Sequence, residues 1–171
     1  MEHAAREMCL RMLTLQPRTR KELAAGLRRR GISDEIAESV LARFSDVGLV
    51  DDAAFAKAWV TSRHRGRGLA RKALAHELRR RGVDHDSVTA AVDQIDGDDE
   101  LAAARELVRR RLPAMQRLEP QARTRRLLGM LARRGYGAGT AMQAIRDVEA
   151  GDEAEDEGLP DHVEFGEADD L

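Results

Sequence analysis

The stretch Leu74-Ala75-His76-Glu77-Leu78-Arg79-Arg80-Arg81-Gly82-Val83 decides the reading of this chain, because it occurs three times in variant form. Its counterparts are Leu23, Leu27, Arg29-Arg30, Gly31 and Ile32, then Leu127, Leu131, Arg133-Arg134, Gly135 and Tyr136. Leucines four residues apart share one helical face. Arginines in a last turn suit the negative end of the helix dipole, and a glycine supplies the left-handed residue that closes a helix. The three glycines lie 51 and 53 residues apart. Such a period marks one supersecondary unit copied in tandem and stacked into an elongated array. Function is therefore expected along a surface.

Outward from each glycine the copies continue to agree. Ten residues on stand Leu41, Val92 and Ile145, and thirteen on stand Phe44, Ile95 and Val148. A step of three keeps both positions on one face, so a second helix with its own apolar stripe follows the turn. Each unit reads as three helices. In the first, a helix from Glu2 to about Leu15 precedes Pro17, Thr19 and Glu22 form a capping box, and the second helix runs to about Arg30. Ser33 caps the third. Gly48 to Asp52 is the junction, and an Asp there caps the first helix of the second unit, which carries Phe55, Ala56, Trp59 and Val60 and is expected to break at Gly66 and Gly68. A helix from Leu69 to Arg81 follows, and Asp84 repeats the role of Ser33. The third unit starts near Asp98, extends its first helix to about Gln116, breaks around Pro120 and has Gly137 where the others have a polar cap. The expectation is an all-α fold of nine helices in an elongated array. Its repeats span 1–52, 53–97 and 98–149, and 150–171 form a disordered acidic tail.

Composition agrees. Of 171 residues, 35% are charged and only 3% aromatic, and no stretch alternates apolar with polar residues, which favours helix. No apolar run of about 18 residues is present, so no membrane segment is expected. The start of the chain does not read as a signal peptide, and the single Cys9 suits a reducing compartment. A soluble, cytoplasmic monomer is expected.

The net charge of −2 hides a division. Residues 1–148 carry 29 basic and 20 acidic groups, whereas 149–171 hold 11 acidic groups and no Lys or Arg. The body thus has the character of a polyanion binder. The tail reads as a solubilising extension, or as an internal competitor for the basic face.

Catalysis has little support. The five histidines have no ligand spacing with one another or with Cys9, so no metal and no cofactor are expected. Gly66-Arg67-Gly68-Leu69-Ala70-Arg71-Lys72 lacks the full phosphate-loop pattern and follows a helix where a strand would be needed. Arginine clusters carry the signal instead: 28–30, 63/65/67 with Arg71 and Lys72, 79–81, 109–111, 123/125/126 and 133–134. Taken singly they could be dipole compensation. Their recurrence at equivalent positions points to a periodic cationic surface facing a polymer. Phe44, Phe55 and Trp59 fall on apolar stripes and read as core, so any nucleic-acid contact should be weak, phosphate-driven and sequence-neutral.

The order Thr19, Glu22-Leu23, Leu27, Gly31, then Gly48-Leu49-Val50-Asp51-Asp52, Phe55-Ala56, Trp59-Val60, Arg63, then Gly68, Leu74, Glu77-Leu78, Gly82-Val83 resembles the RecX family, bacterial regulators of the RecA recombinase. The match covers about residues 8–96 and extends more loosely to Val148; the arginine-rich style is similar to actinobacterial members. The resemblance implies tandem three-helix repeats in a curved, elongated molecule, and a non-enzymatic role. It also implies binding to RecA and its single-stranded DNA filament, in the filament groove, with modulation, in the direction of inhibition, of ATP hydrolysis, strand exchange and coprotease function. DNA repair, recombination and the SOS response are the processes implied. The acidic tail departs from the family pattern.

By this reading Leu23, Leu27, Leu74, Leu78, Phe55 and Trp59 are core, Gly31 and Gly82 are caps, and Asp52 is a helix-start or junction residue. Arg63 heads the candidate contacts because it belongs to the family-like motif. Arg67, Arg71, Lys72, Arg79, Arg80 and Arg81 follow from charge and location, with Arg29, Arg30, Arg133 and Arg134 in the flanking repeats. Two other readings compete. A helix-turn-helix regulator would read duplex sequence, but helices such as Asp34 to Val47 are apolar on one face and acidic on the other, which is poor groove chemistry. A scaffold for acidic protein partners would bind no DNA at all.

Overall fold

The repeated leucines, arginines and glycines form the second helix of each of three triplets. The structure, a computed structural model, describes residues 1–156, with side chains to residue 151. Among these residues the elements are α1 (Glu2–Leu15), α2 (Arg20–Arg28), α3 (Asp34–Asp46), α4 (Asp52–Arg67), α5 (Arg71–Arg80), α6 (His85–Val92), α7 (Gly97–Arg111), α8 (Pro120–Arg133) and α9 (Ala138–Asp156). A single 3-10 turn covers Leu112–Met115.

Local chemistry accounts for most boundaries. Thr19 and Glu22 form the capping box on α2, while Asp51, Asp84 and Ser33 each accept a backbone N–H at the start of their helices. At the far ends Ile32, Val83 and Tyr136 donate their N–H groups to Leu27, Leu78 and Leu131, at 3.2, 3.1 and 3.1 Å. These wrap-back bonds pass over Gly31, Gly82 and Gly135, all at positive φ, and complete the left-handed closure in every repeat.

Besides shifts of one or two residues at the ends of α2 and α5, three boundaries differ from expectation. Gly66 does not break α4, which continues to Arg67 and ends at Gly68, φ 61°. The α7 helix stops at Arg111, short of Gln116, because Pro113 has no N–H for the helical ladder and the chain tightens into the 3-10 turn. The α9 helix runs on to Asp156, into the segment read as a disordered tail. Residues 157–171 of that segment lie outside the described residues.

Each triplet has its own core, and every extensively packed helix pair lies within one triplet. Leu23, Leu27, Val40, Leu41 and Phe44 centre the first core, Val60, Leu74, Leu78 and Val88 the second, and Val108, Leu127, Leu131 and Ile145 the third. Ala70 of the second triplet is shared with the third core.

The triplets are joined in series by one contact pattern used twice. The N-terminus of a second helix sits on the glycine turn of the next triplet. In the first junction the Thr19 hydroxyl donates to the Arg81 carbonyl at 2.6 Å, and the Arg20 N–H donates to Asp52 Oδ1 at 2.9 Å. In the second, the Ala70 N–H donates to the Arg134 carbonyl at 2.9 Å, and the Arg71 N–H to Glu100 Oε1 at 2.7 Å. Thr19 and Ala70 are equivalent, as are Arg20 and Arg71, and Arg81 and Arg134. Glycine is required at the docked turns for a second reason: a Cβ on Gly82 would collide with the Lys21 stem, and one on Gly135 would lie 2.6 Å from the Ala73 nitrogen.

Candidate polyanion-binding groove

The α4 helix sets the geometry of the site. Because it is unbroken at Gly66, Phe55, Trp59, Arg63 and Arg67 follow at steps of four and lie along one face. Phe55 and Trp59 stack with ring centres 5.7 Å apart. Both are half-buried at the rim of the second core and not inside it, which corrects their assignment as core. The Trp59 indole N–H donates to Glu77 Oε2 at 2.8 Å, and two guanidinium carbons lie against its ring, Arg63 at 4.1 Å and Arg81 at 3.9 Å. The indole thus serves as a cation–π platform.

Beside this stack lies a hollow of about 520 Å³ between the first two triplets, lined by Lys21, Glu22, Trp59, Arg63, Arg67, Glu77, Arg80 and Arg81. A larger cleft of about 990 Å³ lies between the second and third triplets, where His64, Arg65 and Arg67 face Arg110, Arg111, Arg133 and Arg134. A third hollow of about 680 Å³ runs along α8, with Arg111, Arg125, Arg126 and Arg133 in its walls. Arg67 lines the first two, and Arg111, Met130 and Arg133 the last two, so the three hollows adjoin in series across the triplets, and together they are called the groove.

The groove is strongly cationic in effect as well as in composition. Its four lining carboxylates are Glu22, Glu77, Asp99 and Glu106. Glu22 pairs with Arg81 at 2.7 Å, Glu106 with Arg110 at 2.8 Å, Glu77 holds the Trp59 indole, and Asp99 closes the α7 capping box. Lys21, Arg63, Arg65, Arg67, Arg80, Arg111, Arg125, Arg126 and Arg133 have no carboxylate partner among the described residues. No described carboxylate meets their charge, and the guanidinium fork matches phosphate or carboxylate oxygens in pairs.

Of the residues singled out from sequence, the structure brings Arg63, Arg67, Arg80, Arg81, Arg133 and Arg134 into the groove. Arg29, Arg30, Arg71, Lys72 and Arg79 line none of its walls. Arg30 turns back to the Gly26 carbonyl at 3.0 Å, and Arg71 is held by Asp93 at 2.6 Å. Arg81 and Arg134 also serve the junctions through their carbonyls. Leu23, Leu27, Leu74 and Leu78 are fully buried, and Asp52 is half-buried with its carboxylate on the Arg20 N–H. Lys21, and Arg65, Arg110, Arg111, Arg125 and Arg126 beyond their membership of charge clusters, were not singled out. A continuous α4 would have pointed to the 55-59-63-67 face, whereas the pairing of Lys21 with that face comes only from the junction.

Among the described residues no helix is long and apolar enough to cross a membrane, and no cluster of His, Cys, Asp and Glu could hold a metal ion.

Family models for the first, second and third three-helix domains of RecX match residues 5–44, 51–92 and 98–145. Regulatory protein RecX of Thermobifida fusca is 61% identical over 143 residues, covering 84% of this chain and 77% of that protein. The Streptomyces coelicolor protein of the same name is 53% identical over 160 residues, covering 91% and 85%. The crystal structure of RecX from Lactobacillus salivarius superposes with a TM-score of 0.80 at 17% identity, over 87% of this chain and 97% of that one. With all three repeats matched and relatives of this identity aligned over most of its length, the chain belongs to the RecX family of regulatory proteins.

Proposed function

We propose that this protein is a non-enzymatic regulator of the RecA recombinase, acting by laying its cationic groove along the RecA filament on single-stranded DNA and slowing ATP hydrolysis, strand exchange and coprotease activity. The observation that carries the reading is the succession, across the triplets, of arginines without a carboxylate partner among the described residues. A series of triplets with a cation-lined face presents charge at intervals, and a nucleoprotein filament presents its own anionic groups at intervals. Contact with phosphate is sequence-neutral, because the described residues give the groove no track of aromatic faces for base stacking: the Trp59 ring is flanked by guanidinium groups, and the other lining ring is a single imidazole, His64, tied to the Leu69 carbonyl.

The test is a RecA ATPase assay on single-stranded DNA with the purified chain added below stoichiometric ratio. The rate falls if the reading holds, and an unchanged rate at every ratio rejects it. A salt titration on bare oligothymidylate then separates direct strand contact from protein-only contact. Each phosphate neutralised contributes a log–log slope of about −0.7.

A further inference from the structure

The groove is not uniform, and its hollow between the first and second triplets is built differently from the rest. There Arg63 and Arg81 lie over the ring of the half-buried Trp59, whereas Arg125 and Arg126 at the other end stand exposed on α8. We propose that this hollow is the principal phosphate anchor of the groove, taking one phosphodiester of a single strand, and that Trp59 is the positioning residue that presents Arg63 to it. The proposal rests on the reading above and names where its affinity is concentrated.

Arg63 is half-buried, lies 4.1 Å from the Trp59 ring centre and has no acidic partner among the described residues. A guanidinium seated over a ring leaves its N–H edge free, and that edge is what binds two phosphate oxygens at once. Arg81 on the same ring is already engaged by Glu22 at 2.7 Å. The two carboxylates of the hollow cannot quench Arg63 without releasing what they hold: Glu22 takes Arg81 and the Thr19 N–H, and Glu77 takes the indole. Lys21, Arg67 and Arg80 line the same space and add charge. The rotamer of Arg63 is thus organised before the ligand arrives, the condition under which a charged contact yields most affinity.

Trp59 is the only tryptophan, so its emission reports this hollow directly. The experiment titrates the full chain with oligothymidylate, following Trp59 emission and the anisotropy of a labelled strand. Binding should change the emission in parallel with anisotropy. Arg63→Gln should weaken binding by about tenfold and lower the salt slope by about 0.7, and Arg125→Gln should weaken it less than about twofold. Trp59→Phe combined with Glu77→Gln keeps an aromatic platform without freeing a carboxylate to pair with Arg63 and should bind nearly as wild type, whereas Trp59→Leu should match Arg63→Gln. The Trp59→Leu/Arg63→Gln double variant should be no weaker than Arg63→Gln alone, since the ring acts through the arginine. Equal losses for Arg63→Gln and Arg125→Gln, or additive losses in the double variant, overturn the anchor while leaving the groove intact. Absence of any salt-dependent binding by the wild-type chain overturns direct strand contact, and the anchor with it.

Discussion

The junction between the first and second triplets and the junction between the second and third share a backbone template, yet different side chains close them. The first is a polar seam. Thr19, fully buried, bridges to the Arg81 carbonyl, Arg81 pairs with Glu22, and Trp59 is gripped by guanidinium groups. The second is fused into a core. Ala70 is fully buried within the third cluster, Tyr136 is 5% exposed, and its hydroxyl donates to the Gly68 carbonyl at 2.8 Å. Side-chain charge holds the first triplet in place, whereas apolar burial holds the third. The seat of the first triplet should therefore respond to salt and to ligand charge, and the other two should behave as one body.

The glycine turns offer the sharpest way to break this comparison. Gly135→Ala combines positive φ, 91°, with a Cβ 2.7 Å from Ala73 Cβ and closer still to backbone, and should cost about 3 kcal/mol in urea unfolding. Gly82→Ala meets the Lys21 side chain, whose Cβ, 2.6 Å away, is fixed to the start of α2, and should cost about 2 kcal/mol. Gly31→Ala meets nothing within 4 Å and should cost about 1 kcal/mol, the backbone conformation alone. Equal losses at the three sites would contradict the docking of Gly82 and Gly135 into neighbouring triplets.

Tyr136 tests the second junction by titration. Burial, aided by Glu100, pushes its phenol from 10.0 up to about 12. The folded state favours the neutral phenol, so this stabilisation is complete below pH 10 and is lost as pH rises toward 12. Tyr136→Phe should remove that alkaline loss and lower stability at pH 7 by about 1 kcal/mol through the missing hydrogen bond. A wild-type stability profile that is flat between pH 9 and 12 would refute the burial argument.

The smallest effect is expected in the first junction. Burial raises the Asp52 carboxyl above its ordinary value, with Asp84 adding to the rise and the Arg20 N–H opposing it. A raised folded value means that ionisation disfavours the fold: the contribution is greatest at acid pH and declines as pH rises through the raised value. Asp52→Asn keeps an oxygen for the Arg20 N–H without the buried charge. Its stability at pH 7 should therefore equal or slightly exceed wild type, within about 0.5 kcal/mol, and a loss above about 1 kcal/mol would show that the charge itself is needed.

Much of this was legible in the amino-acid order. The spacing of leucines, arginines and glycine gave the second helix of every triplet, because capping and amphipathic chemistry are local. Gly66 was misjudged since a single glycine weakens a helix without ending one, and Gly68 alone has the left-handed backbone. That error hid the extension of the Trp59 and Arg63 face to Arg67, while the nature of Trp59 as a cation platform was hidden by its place on the apolar stripe. Arg71 and Arg81 looked free because their partners, Asp93 and Glu22, are 22 and 59 residues away in sequence. Continuity of the groove is a property of the junctions, which no periodicity within one triplet encodes.

The central claim is most directly tested by comparing two charge-matched variants for binding to the RecA filament on single-stranded DNA. One replaces groove residues Arg67 and Arg133 with glutamine, and the other replaces off-groove Arg29 and Arg79. Both should retain the wild-type melting temperature. The groove variant is predicted to lose most of its filament affinity and its effect on ATP hydrolysis, while the off-groove variant keeps both. Equal behaviour of the two variants would contradict the assignment of the groove as the binding surface.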